Sequence, residues 1–140
     1  MLVGAVGVIA GGLVSAAGAS SPTRHLAWAV AYLVLVVGVA QICLGLGQAV
    51  LGERSPSRSF TTVEIVAFNL GNAGVLIGTL RETPWLVDVG GAALIVALVA
   101  FMLGARGRTE PRWLRYLYWF VIVVLLISIP VGLVLARVLH

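Results

Sequence analysis

Hydrophobic residues run along the chain in five long stretches, separated by four short polar segments that hold most of the charge and four of the five prolines. Each stretch is about as long as a helix must be to cross a bilayer. A single segment in lipid must be helical, because only a helix satisfies its own backbone hydrogen bonds there. The pattern predicts an all-α integral membrane protein, a five-transmembrane-helix bundle that forms one domain over residues 1–140. The predicted spans are residues 1–19, 26–51, 61–80, 85–105 and 113–136.

Composition agrees with this class of protein. Hydrophobic residues make up 61% of the chain and charged residues 10%, against roughly 45–50% and 25% in ordinary soluble domains. So few polar side chains cannot coat a soluble globule, and we expect the lipid bilayer to be the main partner. No Lys or Arg precedes the first stretch, which favours a true first helix over a signal peptide.

The basic residues predict an orientation. All nine are arginines, and cytoplasmic loops are enriched in such residues. With a cytoplasmic N-terminus, six arginines lie inside and three outside. We therefore expect a multi-pass protein of a bacterial-type plasma membrane, with the N-terminus in the cytoplasm and the C-terminus outside. The arginines are scattered over separate short loops, which argues against nucleic-acid binding.

Small residues recur at spacings of three and four on several stretches, so that each set shares one helix face. Such glycine and alanine faces let membrane helices pack closely. A glycine-lined ligand passage is the alternative interpretation. The sets are Gly4, Gly7, Gly11, Ser15 and Gly18; Ala67, Gly71, Gly74 and Gly78; and Gly90, Ala93, Ala97, Ala100 and Gly104.

Polar side chains interrupt the second, third and fifth stretches. Gln41 and Gln48 share a face with glycines, where they either join helices or line a polar pocket. Asn69 and Asn72 lie near the predicted midplane, too deep to cap a helix, and Ser128 falls at a comparable depth. They are neutral donors and acceptors, which suits a small polar cavity or a network that locks the helices.

Glu64 is the acidic residue in this part of the sequence. It follows Thr61 in the pattern T-x-x-E, which predicts a capping box at a helix start. Pairing with Arg58 or Arg115 is a second expectation, and a proton- or cation-coupled role a third. Because helices 2 and 3 are antiparallel, Gln48 should come level with Glu64. For the same reason, Gln41 should lie at the same depth in the membrane as Asn69 and Asn72.

Motifs for catalysis, metals or cofactors are missing from the sequence. Cys43 is single and has apolar neighbours, so we expect an inert core thiol. His25 and His140 have no metal-ligand spacing. We therefore expect no enzyme activity, no metal and no cofactor.

The sequence favours a membrane protein that binds or translocates a small neutral or lipophilic ligand. The candidate ligand-binding residues are Gln41, Gln48, Glu64, Asn69, Asn72 and Ser128. An accessory or scaffold subunit, assembled with itself or with a membrane partner protein, is the alternative. A membrane-embedded enzyme is a second alternative.

Overall fold

The chain folds into helices joined by short connections. The computed structural model describes residues 2–51, 58–105 and 112–138. Of these residues 92% are helical and none is in a strand, which confirms the all-α prediction. We number the helices α1 (Leu2–Ala17), α2 (Arg24–Leu51), α3 (Arg58–Leu80), α4 (Pro84–Gly104) and α5 (Arg112–Val138).

Four of these helices are long and apolar enough to cross a membrane. They are α2, α3, α4 and α5, judged by length and composition among the described residues. Helix α1 has 16 residues, about 24 Å at 1.5 Å per residue, which is shorter than the roughly 30 Å hydrocarbon core. The structure is therefore compatible with a multi-pass membrane protein, while the fifth span stays a prediction.

The chain divides into two compact units, Met1–Leu46 and Gly47–His140, and the single-domain prediction stays a prediction. In the first unit, α1 packs antiparallel to α2, and Gly4, Gly7 and Gly11 of α1 are buried. A methyl group built on Gly4 would lie 2.9 Å from the carbonyl oxygen of Gly38, and one on Gly7 would lie 3.1 Å from the Gly38 nitrogen. The two backbones thus touch directly, because neither glycine has a side chain to hold them apart.

Helix α2 changes its winding along its length. Arg24–Tyr32 and Gln41–Leu51 are α-helical, whereas Leu33–Ala40 is π-helical. Most π-helical segments are single turns, so eight residues is a long one. The segment is part of the surface on which α1 packs, since a methyl group on Gly38 would lie 3.0 Å from the Val8 nitrogen.

In the second unit, α3 and α4 form a tight antiparallel hairpin. A methyl group on Gly71 would lie 2.9 Å from the carbonyl oxygen of Gly90, and one on Gly74 would lie 3.1 Å from the Gly90 Cα. The connecting turn places Glu82 in the left-handed region, with φ 51°. The Thr83 N–H donates to the Gly78 carbonyl over 2.8 Å, which closes the end of α3 as in a Schellman motif.

An apolar core fills the second unit beside this hairpin. The rings of Phe68 on α3 and Phe101 on α4 meet edge to face, with centroids 5.9 Å apart and planes at 85°. Leu98 and Ile122 are also buried. This core brings α3, α4 and α5 together around one polar pair.

Candidate functional site

Gln48 of α2 and Glu64 of α3 form a buried polar pair. The Gln48 Nε2 donates to the Glu64 Oε1 over 2.9 Å. Gln48 is 9% exposed and Glu64 only 1%. The prediction that these two side chains lie level with each other is confirmed.

The capping-box interpretation of Glu64 is wrong. Helix α3 begins at Arg58, so Thr61 lies inside the helix. Glu64 is the seventh helical residue, about 9 Å from the start at 1.5 Å per residue, beyond the first turn whose free N–H groups a cap satisfies. The ion pair with Arg58 or Arg115 stays a prediction, and the Arg58 side chain lies outside the described part of the structure.

The last turn of α4 lies against the polar pair. A methyl group on Gly104 would collide with the Gln48 Nε2 and would lie 3.4 Å from the Glu64 Oε1. Glycine at this position therefore lets the amide and the carboxylate reach the backbone at the end of α4.

Tyr118 of α5 completes the site. Its hydroxyl donates to the Phe101 carbonyl on α4 over 3.2 Å, and its ring lies against Gly47, the neighbour of Gln48. All four helices of this unit thus contribute to one cluster, which we call the Glu64 site: Gln48, Glu64, Gly104 and Tyr118.

One atom of the Glu64 site stands out chemically. The second carboxylate oxygen, Oε2, is buried and has no hydrogen-bond partner among the residues that the structure describes. A buried acceptor without a donor costs roughly 1–3 kcal/mol, and more when it is charged. The site is therefore suited to receive a group that donates a hydrogen bond.

The two asparagines bond to their own helix. The Asn69 Nδ2 donates to the Ile65 carbonyl and the Asn72 Nδ2 to the Phe68 carbonyl, each over 2.8 Å. Asn72 is 2% exposed, and Asn69 is half-buried. Each side chain thus donates one hydrogen bond to a carbonyl one turn earlier in its own helix. Ligand binding by the asparagines stays a prediction.

The remaining predicted site residues are Ser128 and Gln41. Ser128 is exposed on α5, where its hydroxyl donates to the Leu125 carbonyl over 2.8 Å. Gln41 belongs to the first unit, where it is 4% exposed and its Oε1 has no hydrogen-bond partner among the described residues. Cys43 is exposed, so the expectation of a core thiol is wrong.

No protein-family model matches the chain, and neither a curated protein nor a solved structure is significantly similar to it.

Sequence reasoning missed two members of this site, and one signal was available for Tyr118. It is the seventh residue of α5, as Glu64 is of α3, so both lie about 9 Å from the start of their helices. Because α3 and α5 begin on the same side in the predicted topology, equal depth placed the two residues level. Nothing in the sequence marked Gly104 as a site residue, since it was one of five small residues that share a face of α4.

Proposed function

We propose that this chain is a non-enzymatic membrane protein that binds a small ligand at the Glu64 site. In this proposal it crosses a bacterial-type plasma membrane five times, with its N-terminus in the cytoplasm and its helices packed through glycine faces. Assembly with itself or a membrane partner is compatible with this function. The ligand is a small molecule that offers a hydrogen-bond donor.

The observation that carries the proposal is the buried Glu64 Oε2 without a hydrogen-bond partner among the described residues. Ionisable groups within membrane helices are costly, and by default they mark sites of function. A purely structural pair would satisfy both carboxylate oxygens, because each unsatisfied buried acceptor lowers stability. A bound donor supplies the missing hydrogen bond.

The second candidate is a scaffold or accessory subunit, and the asparagines favour it. The Asn69 and Asn72 side chains each hydrogen-bond within α3, and this arrangement serves a helix that needs no ligand. In this alternative, the glycine faces and the Gln48–Glu64 bond hold the bundle together, and nothing binds at Glu64.

Native mass spectrometry of the protein purified in mild detergent tests the proposal. Glu64→Met removes both acceptor oxygens and keeps an unbranched side chain of similar length. Glu82→Met is the matched control, because Glu82 is an exposed acid outside the site. We expect a small molecule bound to the parent and to the control but absent from Glu64→Met. Spectra without a bound small molecule in all three proteins, with Glu64→Met less stable to heat, would favour the scaffold.

A further inference from the structure

The Glu64 site combines three features that all carry negative charge or accept hydrogen bonds. The first is the carboxylate itself, which is 1% exposed. Among the described residues it accepts one hydrogen bond, from the neutral amide of Gln48. A neutral amide supplies a donor but no charge, so this bond leaves the negative charge of an ionised carboxylate uncompensated.

The second feature is the end of helix α4. Gly104 is its last residue, and the Glu64 Oε1 lies 3.4 Å from the position that a Gly104 Cβ would take. The C-terminus of a helix carries about half a negative charge from the aligned peptide dipoles, and its last four carbonyls have no partners within the helix. The carboxylate therefore lies next to the negative end of α4. It gains little from the positive end of α3, which is about 9 Å away along the helix.

The third feature is Tyr118. Its hydroxyl donates its proton to the Phe101 carbonyl, so this proton is not available to Oε2. One of the two N–H donors of the Gln48 amide is used on Oε1. Among the described residues, Oε2 thus has no hydrogen-bond donor, and the carboxylate lies beside the negative end of a helix.

From these features we propose that the ligand of the Glu64 site is a small cation with N–H donors, an ammonium-type ion. The inference deepens the proposed function and rests on it. Such an ion supplies both things that the site lacks, a donor for Oε2 and a positive charge against the carboxylate and the end of α4. A metal ion fits less well, because no group of three His, Cys, Asp or Glu side chains comes together in the described part of the chain.

Three small probes separate the effect of charge from that of hydrogen bonding. Methylammonium carries a positive charge and N–H donors. Tetramethylammonium carries the charge without N–H donors, and acetamide carries N–H donors without the charge. The thermal midpoint of the full-length protein in non-ionic detergent is measured with each probe at equal ionic strength. We expect methylammonium alone to raise it, by about 4 °C at several times the dissociation constant.

Two isosteric variants complete the experiment. Glu64→Gln keeps the size of the side chain and removes its charge, so the rise with methylammonium should disappear. Glu82→Gln removes an exposed acid outside the site and should keep the full rise.

Three outcomes would overturn the inference. Equal shifts of the thermal midpoint with methylammonium and tetramethylammonium would mean that the site does not recognise N–H donors. A shift with acetamide alone, lost in Glu64→Met, would leave the proposed function standing with a neutral ligand. The third outcome is that methylammonium has no effect and that Glu64→Gln and Arg115→Gln are equally destabilised. That result would assign the cation to the chain itself, since Arg115 lies one turn before Tyr118 on α5.

Discussion

The close contact between α3 and α4 predicts that Gly90→Ala destabilises the protein. A methyl group on Gly90 would lie 2.6 Å from the Val75 nitrogen, 2.7 Å from the Gly71 carbonyl oxygen and 3.0 Å from the Gly74 carbonyl carbon. All three are backbone atoms of a helix, so no side chain can swing aside to make room. The helices must separate instead, by about 0.8 Å to bring the shortest of these contacts to an ordinary 3.4 Å.

The size of the effect follows from two opposed terms. Overpacking of this kind typically costs about 1–3 kcal/mol. Replacing a helical glycine by alanine gains up to about 1 kcal/mol of helix propensity. We therefore expect Gly90→Ala to lower the free energy of unfolding by about 1–2 kcal/mol.

Gly12→Ala provides the matched control, because no atom lies within 4 Å of the methyl group that it would add to α1. This variant should be as stable as the parent or slightly more stable, through helix propensity alone. Unfolding in mixed micelles with rising denaturing detergent, followed by loss of helical circular dichroism, measures both variants. If Gly90→Ala and Gly12→Ala unfold at the same concentration of denaturing detergent, the backbones of α3 and α4 do not approach as closely as the Gly90 distances indicate.

Two further predictions concern topology and the asparagines. A reporter that is active only outside the cytoplasm, fused after His140, should be active if the chain has five spans and a cytoplasmic N-terminus. Activity of a cytoplasm-only reporter there would indicate four spans or the reverse orientation, because an even number of spans puts both termini on one side. Asn69→Leu should change the thermal midpoint in detergent by less than about 3 °C, since the Asn69 side chain hydrogen-bonds within its own helix. A larger loss would reveal a partner on another helix.

Much of the fold was predictable because the apolar stretches are long and their ends are polar. All five helices begin and end within three residues of the predicted spans. The π-helical winding of Leu33–Ala40 was not predictable, since "LVLVVGVA" has no proline or polar residue to mark it. The start of α3 was predicted three residues late, because T-x-x-E is also compatible with a helix interior when the helix continues backwards through "RSF".

Helix geometry explains why part of the Glu64 site was predictable. A helix rises by 1.5 Å per residue, so residue number alone gives the depth at which a side chain lies. Depth correctly put Gln48 level with Glu64. It does not give the rotation of each helix about its axis, which decides whether level side chains face each other. The closeness of Tyr118 to the pair and the position of Gly104 beside it depend on that rotation, and so they emerged only from the structure.

The chemistry of the side chains then separates the polar residues that need a partner from those that do not. Inside a helix the backbone N–H groups are occupied, while each carbonyl oxygen keeps a second lone pair. Asn69 and Ser128 carry donors, and each uses one on a carbonyl of its own helix. An ionised glutamate carries only acceptors, so its own helix interior has nothing to offer it. Glu64 must therefore find its donors outside α3: Gln48 supplies one of them, and the proposed ligand supplies the other.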